Sequence, residues 1–179
     1  MPNPSMTDQA PSEGMIANYV RNGQGFACNG RGVTATNPNL LNCALSLFNP
    51  SNSGKSVLIY SIRCLASTTA GTLSQWNFTT SDPYNTTGFT AQLTPVHLQA
   101  GVTVPATVVS ACQTASGNTT TVAAPGTKVE EFILTAGVSG EILNNSAVVV
   151  LPPGNGMVVM IYVGTATGYF QSFAKWIEY

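Results

Sequence analysis

Few side chains in this sequence are suited to acid–base, nucleophilic or metal chemistry, and those few are spread apart. His97 is the single histidine. A histidine base normally works with a nucleophile and an orienting carboxylate. Asp82 is separated from it by Pro83, Gly88 and Pro95, with no motif between them, so His97 reads as a surface or strand residue. Glu130 and Glu131 are adjacent, and on a strand they point to opposite faces, which rules out a two-carboxylate pair without help from elsewhere. Glu141 faces a loop, Glu178 ends the last strand, and Asp82 in SDPYN caps a turn. No repeating Asp/Asn ladder supports an oxygen-lined calcium loop. Cys28, Cys43, Cys64 and Cys112 contain no CxxC spacing, which argues against a zinc knuckle or a thioredoxin-like site. Cys43 and Cys64 read as buried thiols in apolar strands. The string SGKS at 53–56 invites a phosphate-loop reading, but Asn49 stands where that motif needs its first glycine, and a strand rather than a helix follows. Lys55 is therefore read as a turn lysine kept in solvent. The expectation is a non-enzymatic chain with no cofactor and no metal.

The aromatic residues offer binding rather than catalysis. The densest group is Tyr169, Phe170, Phe173, Trp176 and Tyr179 in YFQSFAKWIEY. On a strand, Phe170, Ala174 and Trp176 share one face, and Tyr169, Phe173, Ile177 and Tyr179 share the other. Such a strand must be central in its sheet or buried against another subunit, so these five aromatics are the candidate oligomer interface. Trp76 and Tyr84 lie in a polar, loop-rich region and are the candidate ligand contact. They carry the alternative reading, a lectin-like carbohydrate-binding or adhesion module.

Charge narrows the partners. Of 179 residues, 44% are hydrophobic and only 7% charged, against about a quarter charged in an ordinary soluble domain. Thr, Ser, Asn and Gly make up the difference, and these suit strands and turns more than exposed helices. The six basic residues, Arg21, Arg31, Lys55, Arg63, Lys128 and Lys175, never form a run, and the formal charge is −1. Direct nucleic-acid binding, which needs several phosphates neutralised together, is not expected. A nearly neutral surface repels its copies weakly and fits a protein held in an assembly. AVVVL (147–151) and MVVMIYV (157–163) are the longest strongly apolar stretches. They fall short of the ~20 residues of a membrane helix, so no membrane partner is expected. MPNPSMTDQAPSEG shows neither a basic nor an apolar leader region, and the expectation is a chain made without its own export signal.

The elements that must position these residues read as strands. Residues 1–14 form an extended N-terminal arm, and 15–179 a single domain. The stretch 15–39 is loop-rich, with one short strand at 15–20. LNCALSLF (41–48) alternates, with Leu41, Cys43, Leu45 and Leu47 on one face. VLIYSIRCL (57–65) places Leu58, Tyr60, Ile62 and Cys64 together. With NPSNSG between them, these two predict a hairpin. Shorter strands follow near 73–79, 89–98, 102–111 and 129–135, apart from a possible helical turn around 71–76. Apolar strands at 147–151 and 157–164 flank the rigid turn LPPGNG, and the aromatic strand closes the chain. About eight strands with frequent turns predict an all-β antiparallel sandwich, with a jelly-roll-like arrangement that limits open edges.

The layout of LxLFNPSNSGKSVLIYSI, then VVVLPPGNGMVVMIYVGTATG, then FAKWIEY resembles small virion proteins of tailed bacteriophages, of the capsid decoration or fibre-head type. The resemblance covers 40–179 in layout. It implies a jelly-roll structural protein located in the virion, assembled as a homotrimer and bound to the major capsid protein or another virion protein. Residues 1–14 would then be the attaching arm, and the last strand part of the trimer interface.

Overall fold

The computed structural model describes residues 13–33, 42–66, 71–79, 90–113, 126–143, 148–162 and 169–179. They form one helix, α1 (Glu13–Arg21), and twelve strands: β1 (Gly25–Val33), β2 (Asn42–Asn49), β3 (Val57–Ala66), β4 (Gly71–Thr79), β5 (Thr90–Leu93), β6 (Val96–His97), β7 (Val109–Gln113), β8 (Thr127–Leu134), β9 (Ser139–Leu143), β10 (Val149–Leu151), β11 (Asn155–Tyr162) and β12 (Tyr169–Glu178). The strands make two packed antiparallel sheets. The first runs β10–β3–β12–β1–β6, with β9 also on β3, and the second runs β5–β7–β2–β11–β4–β8. The all-β sandwich is as the alternating pattern predicts. The number of described strands is twelve rather than about eight: β1 lies in the stretch 15–39 expected to be loop-rich, β9 was not expected, and the expected strand at 89–98 is two, β5 and β6.

The predicted hairpin is overturned. β2 pairs with β11 and β7 in the second sheet, whereas β3 pairs with β12, β9 and β10 in the first. The connection 50–56 is longer than ordinary hairpin loops of about two to five residues, and it arches from one sheet to the other. A second arch, 152–154, joins β10 to β11 beside it. Asn49 ties the two together. Buried at the end of β2, it donates through Nδ2 to the carbonyls of Lys55 (2.8 Å) and Leu151 (2.9 Å), and its own carbonyl accepts from Gly154 N at 2.8 Å.

Two bulges re-sort the apolar residues. Along β3 the register with β12 passes from Ser61 to Ile59, leaving Tyr60 without an opposite residue. An extra residue reverses the facing of everything beyond it. Val57, Ile59, Ile62 and Cys64 accordingly join the core between the sheets, while Leu58 and Tyr60 point outwards. In β2 the register with β11 skips Ala44. Leu45 and Leu47 face the core, and Cys43 joins Phe48, Val158 and Met160 on the outer side. Ser172 of β12, fully inside the sandwich, donates to the Ala44 carbonyl at 2.7 Å, so the group displaced by the bulge is satisfied across the core.

The residues at 15–20 are helical, not a strand, and 71–76 belong to strand β4. Ile16, Tyr19 and Val20 recur at helical spacing, and the first two pack with Leu58, Tyr60 and Ile177 on the outer face of the first sheet. The helix stops at Gly23 (φ 70°), where Gly23 N donates to Val20 O and Gln24 N to Tyr19 O, a Schellman ending. Glu13 and Gly14 therefore belong to or adjoin the helix, and residues 1–12 of the expected arm lie outside the described residues.

Gly156 of β11 sits opposite Phe48 on one side and Phe78 on the other. The two rings stack 6.0 Å apart, and a Cβ on Gly156 would run into the Phe78 ring. Gly156→Val is expected to lower stability by about 1–3 kcal/mol through overpacking, and Gly156→Ala by less, read as the shift of the denaturant midpoint. An unchanged midpoint for valine would show that the rings do not need this space.

Candidate functional site

His97 lies on β6, paired against Phe26 and Ala27 of β1. Its Nε2 bonds to the Val104 carbonyl and its ring lies 4.4 Å from that of Phe26, while Nδ1 is buried with no hydrogen-bond partner. It lines a cavity of about 500 Å³ formed by one connection, 94–106, and among the described residues no carboxylate lines it. Among the described residues no group of three or more His, Cys, Asp or Glu is placed to hold a metal ion. No described helix is long and apolar enough to cross a membrane.

The acids fall into structural settings. Glu130 and Glu131 are both exposed on β8, and Glu131 accepts from Lys128 at 2.7 Å. Glu141 of β9 pairs with Arg63 of β3. Glu178 was read only as a strand end, yet it has no exposed surface. Its carboxylate accepts from Thr107 N (2.8 Å), Val108 N (3.1 Å), Trp176 Nε1 (3.3 Å) and Lys55 Nζ (3.3 Å). Lys55 is thus attached to this carboxylate with its side chain 41% exposed, instead of standing free in solvent. Asp82 lies outside the described residues.

The five aromatics of the last strand separate. Phe170 and Trp176 are buried in the chain's own core, which removes them from any subunit interface. β12 is central, between β3 and β1, and its aromatic content is explained first by that position. Tyr179 is half-buried, its ring 6.1 Å from that of Tyr19. Phe173 is half-buried and Tyr169 is 51% exposed. Trp76 is half-buried on the outer face of the second sheet, donating to Ser74 Oγ at 2.9 Å with Lys128 Nζ 5.7 Å from its ring. Tyr84 lies outside the described residues, so the two candidate ligand contacts cannot be placed together.

One surface that sequence reading did not assemble is brought together by register. Asn29, Phe173, Arg63 and Glu141 stand opposite one another across β1, β12, β3 and β9. The next row on that face is Arg31, Gln171, Leu65 and Ser139, with Lys175 before it and Tyr169 beyond. Arg31 lies over the Tyr169 ring (5.9 Å to the centroid) and Lys175 over Phe173 (5.5 Å). Asn29, Arg63, Leu65, Ser139, Gln171 and Phe173 line a groove of about 170 Å³ here. The helix covers the other part of the same face, where Leu58, Tyr60 and Ile177 lie. Strand positions for Arg63 and Lys175 were the available signal, but Arg31 lay in the stretch expected to be loop, and the adjacency of all three depends on pairing across strands distant in sequence.

Comparison with protein-family models, curated protein sequences and solved structures finds no match.

Cys28, Cys43 and Cys64 are buried, as read for Cys43 and Cys64. Burial pushes the Cys64 thiol from 9.0 up to about 12 and the Tyr60 hydroxyl from 10.0 up to about 12. Both groups resist ionising in the fold, so their contribution is complete below pH 9 and is lost as pH rises towards 12. Urea titrations should therefore show stability falling above pH 9, with Cys64→Ala removing the part of the slope that starts below pH 10, at most about 1.4 kcal/mol per pH unit. A flat profile from pH 8 to 11 would contradict this. At the buried carboxylate, Glu178→Ala should cost about 3–5 kcal/mol because it strands two backbone N–H groups and an indole. Lys55→Ala should cost within about 1 kcal/mol, as expected of a half-exposed ion pair. Equal losses would place the weight on the ion pair instead.

Proposed function

We propose that this chain is a non-enzymatic structural component of a virus particle, a capsid decoration or head–tail surface protein that forms a homotrimer and binds neighbouring shell subunits. The strand order carries the reading. With β5–β7 set aside as an insertion between β4 and β8, the first sheet runs β1–β12–β3 with β9 and β10 outermost, and the second runs β2–β11–β4–β8. Counting β9 and β10, which pair with successive stretches of β3, as one position leaves eight, and successive positions alternate between the sheets except from β4 to β8 across the insertion. That order supports an eight-stranded jelly roll, an architecture found in viral capsid and lectin domains.

A fold hosts many functions, so the assembly part of the reading rests on surface features. Among the described residues β8 pairs only with β4 and forms the end of its sheet. Ile133 is 79% exposed there, and Val129 and, just beyond the strand, Val138 are exposed as well. An open apolar edge favours pairing with another chain. Covering it gains roughly 25 cal/mol per Å² of apolar surface, and several such contacts in one particle reinforce each other.

Sedimentation equilibrium of the purified chain is expected to give a trimer at micromolar concentration. Ile133→Lys should shift it to monomer with the melting temperature held. A wild-type chain that stays monomeric at that concentration would remove the reading.

A further inference from the structure

We propose that the open part of the first sheet's outer face, centred on Phe173, is a binding site for an acidic oligosaccharide, one bearing carboxylates or sulfates. This goes beyond the assembly reading and does not depend on it. The surface spans four adjacent strands, about 14 Å across, and runs about 20 Å along β12 from Lys175 to Tyr169 at ordinary strand spacing.

Three observations select the ligand class. First, Arg31, Arg63 and Lys175 are three of the six basic residues of the whole chain, and Glu141 is the one acid placed in the same rows. A chain with formal charge −1 thus concentrates positive charge on one surface, which favours an anionic ligand. Second, the groove presents the amides of Asn29 and Gln171 and the hydroxyl of Ser139 beside Phe173 and Leu65. Amides and hydroxyls both donate and accept, which matches a ligand rich in hydroxyls, while the ring and the leucine offer apolar surface to the C–H faces of a sugar. Third, the two cations lying over Phe173 and Tyr169 are held beside the rings, where a carboxylate or sulfate on a stacked sugar would meet them and form charge-assisted hydrogen bonds. A nucleic acid fits less well, since phosphate-tracking sites rely on a longer run of cations than these three, one of which already pairs with Glu141.

Isothermal titration of the full chain tests the site with four probes: a heparin-derived hexasaccharide, an oligogalacturonate of equal length, a neutral cellohexaose and an oligothymidylate. At least one acidic sugar should bind about ten-fold more tightly than either cellohexaose or the oligothymidylate, and should weaken as salt rises. The comparison between the first two probes tells sulfate from carboxylate recognition. Arg63→Gln and Lys175→Gln, shown by thermal melting to fold, should each weaken that binding by about ten-fold, the effect of one charge-assisted hydrogen bond. Lys128→Gln, on the second sheet, should leave it unchanged. Neutral and acidic sugars binding alike or not at all, tighter binding of the oligothymidylate, or folded Arg63 and Lys175 variants that bind as the parent does would each overturn the proposal.

Discussion

A carboxylate without exposed surface, Glu178, holds the end of the sandwich where the chain crosses itself most often. Taking an ion out of water costs several kcal/mol unless its lone pairs are filled, and here they are filled from two distant parts of the chain and from its own strand. Thr107 and Val108 come from the connection before β7, Lys55 from the arch between β2 and β3, and Trp176 from β12 itself. The backbone around it closes the same junction. Glu178 N donates to Gln24 O, and Tyr179 and Ser56 exchange reciprocal N–H···O bonds of 3.0 and 2.9 Å. The link from α1 to β1, the first arch and the last strand are thereby fixed to one another. That in turn fixes the long β1–β12 pairing, from Gly25–Ile177 to Val33–Tyr169, which brings the first strand against the last.

Two of the buried polar side chains sit where the regular ladder fails. Ser172 answers the carbonyl at the β2 bulge, and Asn49 answers two carbonyls at the arches. Each would be a costly intrusion in a uniform sheet; Ser172 Oγ and Asn49 Nδ2 find acceptors at the local irregularity, while Asn49 Oδ1 is buried without a hydrogen-bond partner. At Ser172 the bulge and the buried polar residue are one feature seen from two sides. The extra backbone residue creates an unpaired carbonyl, and the polar side chain supplies its donor.

The same irregularities mark the limit of what alternation makes legible. Leu45 and Leu47 could be placed on one face because no bulge intervenes between them. Leu58 and Tyr60 could not be told from Ile62 and Cys64, since one unpaired residue at Tyr60 reverses the face, and a bulge has no side-chain signature of its own. The hairpin expected at 41–65 failed for a different reason. Turn residues announce that the chain reverses, but they do not say whether it reverses within a sheet or across to the other one. The helix was hidden by its surroundings. Ile16, Tyr19 and Val20 carry helical spacing, but glycines and the absence of long charged residues made 15–39 look like loop. Of the sites, Phe170 and Trp176 read as sticky because half of a central strand must be, and only the sheet order shows that the chain itself consumes both.

Scarcity of charge gives the remaining ionised groups unusual weight. In a surface crowded with lysine and glutamate, three cations on one face would be an ordinary sample. Here Lys55 is drawn to Glu178, Lys128 to Glu131 and Arg63 to Glu141, yet Arg31, Arg63 and Lys175 are still half of the chain's six basic residues and share one face. α1 sharpens the division. By covering Leu58, Tyr60 and Ile177 it uses up the apolar part of the first sheet's outer face, and what it leaves bare is the part where strand register has gathered cations, amides and two rings. A bare sheet face needs polar side chains for solubility, and Thr or Ser, abundant elsewhere in this chain, would serve. The use of Arg, Lys, Phe and Tyr there instead is a choice that solvation alone does not require.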